Sequence, residues 1–162
     1  FFLMIADHRD LHSFPTRRSS DLIYNGVHSG QLAFPGGKAN DGENIIQTAL
    51  REAEEEINIP SEQVEILGQL SMLHIPVSQM NVYPVVGICS SRPDFIPEQR
   101  EVQECIEVPV PFFFNSANIS SFYLEKYQVH VPCYQLPNDC IWGATAMIVS
   151  EMTEVLKNLF RQ

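Results

Sequence analysis

Glu52, Glu55 and Glu56 stand at i, i+3 and i+4, so on a helix they share one face. Like charges at that spacing each cost roughly a few tenths of a kcal/mol in an isolated helix. Glu54 adds to the excess, and the one basic residue nearby is Arg51, which can reach Glu55 one turn on. Such a face makes sense under a hard cation: Mg2+ or Mn2+ takes oxygen ligands in near-octahedral geometry. Just upstream, Pro35-Gly36-Gly37 reads as a turn whose glycines let backbone carbonyls or amides come close to the same point. Metal ions held there over a pyrophosphate would screen its charge, polarise its phosphorus and activate water. The competing reading is an acidic, solvated helix face, which is the usual meaning of a lone glutamate run.

The elements that must position these carboxylates can be read from periodicity. Glu43 to Ile57 reads as a helix with Ile45, Ile46, Ala49, Leu50, Ala53 and Ile57 on its buried face, ended by Asn58 and Pro60. Gln31 to Phe34, Val64 to Leu73 and Val82 to Ile88 read as strands, the last made irregular or an edge by Pro84. His74 to Asn81 and Arg92 to Gln103 read as loops, and Glu107 to Phe114 as a mixed apolar segment. Gln128 to Gln135 reads as a strand, with Tyr123 to Lys126 as a pairing candidate beside it. Ala144 to Phe160 reads as a closing amphipathic helix with Met147, Ile148, Met152, Val155, Leu156 and Leu159 inward. Strands interleaved with two helices imply an α/β (α+β) layered fold, with helices on a mixed sheet and one domain over residues 23–162.

Composition sets outer bounds. The chain has 162 residues, 44% hydrophobic and 19% charged, which suits a globular domain with its own core. A net charge of −10 argues against nucleic-acid backbone binding, but not against an anionic substrate held through cations. No apolar run approaches the roughly 20 residues that span a bilayer, so no membrane partner is expected. Phe1 to Ala6 is apolar without a basic segment before it, so no secretory signal is expected. Cys89, Cys105, Cys133 and Cys140 form no CxxC pair, which points away from zinc and toward reduced core thiols in a cytoplasmic protein. The first 22 residues lack any sustained period, and His12 to Leu22 resembles translated sequencing-adapter read-through. Residues 1–22 are therefore expected to be non-native or disordered.

The stretch from Gly37 through Glu43, Arg51, Glu52, Glu55 and Glu56 to Ile59 resembles the 23-residue Nudix box, matching six of its seven fixed positions, with Asn58 in place of the late glycine. Asn is the next-best residue for a left-handed helix end. The resemblance implies a Nudix-type α/β/α sandwich with a mixed central sheet. It implies metal ligation by Glu52, Glu55 and Glu56, and polar contacts from Glu43 and Arg51 that hold the loop–helix–loop. It also implies a metal and phosphate site completed by the Gly36-Gly37 backbone, and a further glutamate, Glu101 or Glu104, as ligand or general base.

Gly30-Gln-Leu-Ala-Phe34-Pro35-Gly36-Gly37 further resembles the end of the signature of Nudix coenzyme A pyrophosphatases. Val82 to Gly87, Arg92 to Phe95, Val108-Pro109 and Ile141 to Ala146 are similar to the same subgroup. The first half of that signature, Leu-Leu-Thr-x-Arg-Ser with an arginine four residues before Gly30, is absent: residues 17–22 read RRSSDL and Gly26 stands at the arginine position. The implied reaction is metal-dependent hydrolysis of coenzyme A to adenosine 3′,5′-bisphosphate and 4′-phosphopantetheine, with a homodimer possible. Hydrolysis of ADP-ribose or an oxidised nucleotide, and a non-catalytic nucleotide-binding module, are the alternatives. Lys38 can steer an anion or be a plain exposed lysine. His28 and His74 can line a cleft or be structural, and Trp142 can stack on adenine or fill a core.

Overall fold

The computed structural model describes residues 2–7, 16–18, 32–76 and 78–160. They fall into two compact units, Phe1–Glu107 and Val108–Gln162.

The first unit holds β1 (Phe2–Asp7), β2 (Thr16–Arg18), β3 (Leu32–Ala33), β4 (Gly36–Lys38), α1 (Ile45–Ile57), β5 (Val64–Gln69), β6 (Leu73–Ile75), β7 (Met80–Cys89) and β8 (Val102–Cys105). Its main sheet has the order β4–β1–β7–β5, with β6 also on β7. β1 runs parallel to β4 and antiparallel to β7, so the sheet is mixed, as the sequence led one to expect. A second, antiparallel sheet has the order β3–β2–β8.

Two strands arise where the sequence has no sustained period. Phe2–Asp7 and Thr16–Arg18 fall within residues 1–22, and both pair as strands. The physical reason for β1 lies in its place between two neighbours: a strand inside a sheet reads as a continuous apolar run, with no period of 2 to detect. Pro35-Gly36-Gly37 was expected as a turn, but Gly36–Lys38 is a short strand, pairing Gly36 with Ile5 and Gly37 with Ala6. Its partner lies some thirty residues away in the chain, and glycine lets it run buried beneath a helix.

α1 begins and ends on asparagine. Asn44 accepts from the Gln47 amide while the Gln47 side chain accepts from the Asn44 amide, a reciprocal capping box. Asn58 adopts the left-handed conformation at φ 59° and its amide closes onto the Ala53 and Glu54 carbonyls. Ala49 and Ala53 are fully buried and let the helix approach Val85, with Ile45, Ile46, Leu50, Val64 and Ile66 around them. A second cluster joins Ile57 and Ile59 to Val102, with Phe95, Cys89 and Cys105 packed against it.

The expected Val64–Leu73 strand is broken into β5 and β6, both pairing with β7. Pro84 therefore sits in a strand flanked on both sides, not on an edge. Its carbonyl accepts from the Leu70 amide, so the side on which its N–H is missing faces β5 and β6. There β5 pairs as far as Val85 and β6 takes over from Val82; the Leu70–Pro84 contact between them keeps one hydrogen bond, and the reciprocal bond that residue 84 would donate is missing, so the β5 ladder ends at this point.

The second unit holds α2 (Val110–Phe114), β9 (Ile119–Leu124), β10 (Val129–Gln135), β11 (Cys140–Trp142) and α3 (Gly143–Phe160). The strands form an antiparallel sheet in the order β11–β10–β9, with α3 against β10 and β11. Phe113 meets Tyr134 edge-on at 5.2 Å and Phe122 meets Trp142 edge-on at 5.3 Å. On α3, Ile148, Met152 and Leu156 are buried as expected, but Met147, Val155 and Leu159 are exposed. Thr145, Val149 and Thr153 are buried in their stead. At about 100° per residue, Thr145, Val149 and Thr153 lie on the same side of the helix as Met152 and Leu156, whereas Met147 points away and Val155 stands at the margin of that face, beside Ile148. No described helix is long and apolar enough to cross a membrane.

The left-handed end of α1 gives a direct test. Replacing Asn58 with Val should lower the free energy of unfolding in urea by about 1–2 kcal/mol, because a β-branched residue is strained there. Asn58→Gly should leave it nearly unchanged. Equal stability of the valine variant would show that the helix end can relax out of this conformation.

Candidate active site

The three glutamates that the sequence grouped together differ sharply in surroundings. Glu52 is 9% exposed and Glu56 3%, whereas Glu55 lies on the outside. Glu52 and Glu56, one turn apart, thus form a buried pair of carboxylates on α1. Gly37 on β4 explains how Glu52 fits: a Cβ on Gly37 would lie 2.6 Å from the Glu52 Cδ. The glycine is the cradle for that carboxylate, and no larger residue leaves room for it.

Arg51 joins these groups to the loop that precedes the helix. Its Nε donates to Glu43 Oε1 at 2.8 Å and its Nη2 to Glu43 Oε2 at 3.1 Å. Nη2 also donates to the Lys38 carbonyl at 2.8 Å. Nη1 donates to Glu52 Oε1 at 2.7 Å and to Glu55 Oε2 at 3.0 Å. The polar contacts expected of Glu43 and Arg51 are therefore present. Asn40 and Thr48 add to them: the Asn40 amide and side chain and the Thr48 hydroxyl all donate to Glu43.

The electrostatics follow from this arrangement. The Arg51 guanidinium, helped by Asn40, holds the Glu43 carboxyl down at about 2. Burial pushes Glu52 upward; Arg51 opposes that, while Glu55 and Glu101 add repulsion. Arg51 is held protonated, chiefly by Glu43.

Among the described residues, no three His, Cys, Asp or Glu side chains are gathered so that they could hold a metal ion as they stand. The cation found between Glu52 and Glu55 is Arg51 itself. The donor chemistry nevertheless fits a hard divalent cation: carboxylates on one helix, two of them buried, with Glu52 lying against Gly37, which has no side chain to obstruct it.

The remaining candidates fall in different places. Glu101 is exposed on the loop before β8 and lies within electrostatic reach of Glu52. Glu104 is exposed on β8, paired with Arg17 through the sheet. Gly36 is buried beside Gly37, and Lys38 is exposed with its carbonyl turned to Arg51. His74 bonds through Nδ1 to Asn81 Oδ1 at 2.9 Å across the β6–β7 hairpin, a structural pairing. Trp142 packs on Phe122 within the second unit. His28 and Gly30 lie outside the described residues.

Sequence reasoning missed Asn40, Thr48, Gln47 and Glu98. The Asn44-x-x-Gln47 spacing is a legible capping signal. Glu98, whose backbone amide donates to the Glu56 carbonyl at 2.8 Å, had no such signal, since only the folded loop brings it there.

The family model for the NUDIX domain matches residues 7–113. A protein of Pectobacterium atrosepticum named "Uncharacterized Nudix hydrolase NudL" is 41% identical over 142 residues, covering 85% of this chain and 71% of the relative. Proteins of the same name from Yersinia pestis and Yersinia pseudotuberculosis are 36% identical over 144 residues, covering 86% of this chain and 69% of theirs.

The depressed acidity of Glu43 fixes the sign of a pH effect. A carboxyl whose folded value falls from 4.5 to about 2 stabilises the fold above pH 4.5 and loses that contribution as pH falls through about 2. The stability gap between the wild type and Glu43→Gln, measured by urea unfolding across an acid series, should therefore be constant near neutrality and narrow below pH 4.5. A gap that stays constant down to the acid limit would mean the Glu43–Arg51 contact carries no such linkage.

Proposed function

Because this chain belongs to the Nudix family, we propose that it is a divalent-metal pyrophosphohydrolase that cuts coenzyme A or its derivatives into adenosine 3′,5′-bisphosphate and 4′-phosphopantetheine. The observation that carries the hydrolase reading is the buried Glu52–Glu56 pair on α1, with Glu52 set against the side-chain-free Gly37 of β4. The choice of coenzyme A is supported by the run from Gly30 to Gly37 and by the similar stretches downstream.

In this reading Glu52, Glu55 and Glu56 hold Mg2+ or Mn2+, with the Gly36–Gly37 backbone beside them. When bound, the metal screens the pyrophosphate charge and polarises its phosphorus. Arg51 keeps the loop 38–43 and the helix in one geometry through Glu43 and the Lys38 carbonyl, so that the carboxylates and the phosphate-facing backbone stay in register. Lys38, exposed at the end of β4, attracts the anionic substrate. Glu101, electrostatically close to Glu52, is the stronger candidate to accept the proton of the attacking water; Glu104 is the other.

Turnover tests the reading. Coenzyme A, ADP-ribose and nucleoside diphosphate derivatives are each incubated with Mg2+ or Mn2+ and the products identified. Release of adenosine 3′,5′-bisphosphate from coenzyme A is expected, and indifference to coenzyme A with cleavage of ADP-ribose would transfer the assignment to that substrate. Glu56→Gln should lower kcat by roughly 100-fold or more, since even groups behind a metal ligand cost 10- to 100-fold. Unchanged turnover in that variant would remove the metal mechanism.

Gly37→Ala separates position from stability. The atoms nearest the new methyl are all in the Glu52 carboxyl, the far end of a side chain that can turn aside, so unfolding free energy should change by only about 1 kcal/mol. Displacing the carboxylate should still cost roughly 100-fold in turnover. Full activity in this variant would show that the placement of Glu52 does not matter.

A further inference from the structure

The chain between β7 and β8 crosses the C-terminal turn of α1 and bonds to it through backbone. The Ile96 amide donates to the Ile57 carbonyl at 3.2 Å, and the Glu98 amide to the Glu56 carbonyl at 2.8 Å. Those are helix-end carbonyls that have no partner within the helix. The Glu101 and Val102 amides then turn back onto the Glu98 carbonyl at 3.0 and 2.8 Å. Glu101 is thus carried on a turn whose first residue is seated on Glu56.

The two ends of this crossing segment are tied by one ion pair. Arg92 Nε donates to Glu107 Oε2 at 3.0 Å and Arg92 Nη2 to Glu107 Oε1 at 2.5 Å, a bidentate fork. The Arg92 guanidinium also lies 5.3 Å over the Phe95 ring, and Phe95 packs on the Ile57–Ile59–Val102 cluster. Both charged side chains are more than half exposed, so the pair does little for overall stability. Its geometry has a local use instead: it closes the segment from residue 92 to 107, whose middle rests on the catalytic helix.

We infer that Arg92 and Glu107, with Phe95 beneath them, form a positioning clamp that keeps the 93–106 segment seated on the end of α1 and thereby sets the Glu101 carboxylate relative to Glu52. The role of Glu101 rests on the hydrolase reading above; the clamp itself does not. Neither clamp residue touches the reacting groups, and both act through the backbone they fix.

The test compares Arg92→Gln, Glu107→Gln and the exchanged pair Arg92→Glu with Glu107→Arg. Hydrogen exchange at the Ile96 and Glu98 amides is read first, without substrate. Each single variant should speed exchange at those two amides by roughly 2- to 5-fold, the scale set by an exposed ion pair. The exchanged pair should recover protection, and high salt should move the wild type toward the single variants. With coenzyme A and Mg2+, the single variants should lose kcat by up to the same roughly 2- to 5-fold at nearly unchanged KM, and the exchanged pair should regain it. The urea midpoint should barely move. Unchanged exchange in the single variants overturns the clamp. Faster exchange with wild-type kcat overturns its positioning role. If the wild type itself cleaves no coenzyme A, the substrate reading fails, while the exchange data still decide for or against the clamp.

Discussion

A carboxylate buried on a helix must have its charge answered, and in this fold one guanidinium answers several at once. Arg51 spends its three nitrogens in different directions: Nε and Nη2 on Glu43, Nη2 also on the Lys38 carbonyl, and Nη1 on Glu52 and Glu55. Lysine, a compact point charge on a flexible stem, has no planar fork with which to tie a loop, a buried glutamate and an exposed one in fixed directions. Burial alone would drive Glu52 toward its neutral form; the adjacent cation opposes that. The rest of the site depends on this contact, because it fixes where the glycine strand stops and the helix face begins.

Helix α1 is also held at each end by groups that belong to no other helix. Asn44 and Gln47 satisfy its first amides, and Asn58 together with the Ile96 and Glu98 amides takes up its last carbonyls. Its middle rests on two alanines small enough to bring the backbone close to Val85. A helix capped, seated and electrostatically tied in this way is a rigid platform, and rigid platforms hold reactive groups more closely than loops do.

How much of this the sequence disclosed depends on whether the cause was local. The apolar inward face of α1 and its left-handed end at Asn58 follow from period and capping chemistry within a few residues, while its start lies at Ile45, two residues after the Glu43 that periodicity suggested. The Gly37 to Ile59 pattern likewise carried the family. β4 was hidden because glycines favour turns, and only its distant partner β1 makes it a strand. The grouping of Glu52, Glu55 and Glu56 was legible, but not their separation into two buried and one exposed, which neighbouring elements impose. On α3 an excess of apolar residues hid the true face: Thr145, Val149 and Thr153 turn inward, while Met147, Val155 and Leu159 do not. The seating of Glu98 on Glu56 left no trace in composition or spacing, because it is a backbone contact between residues forty-two positions apart.

Pro84 has a bearing on how the sheet assembles. A strand with two successive partners on the same side is open to slippage, since either partner could slide along it by two residues and keep its side chains on the correct face. Residue 84 marks the boundary between β5 and β6 and cannot donate a hydrogen bond across it. Any shifted pairing that runs a partner through that point must forgo a ladder bond. The proline thus serves as a register stop, biasing the folding chain against misaligned hairpins before the core has formed to enforce the alignment.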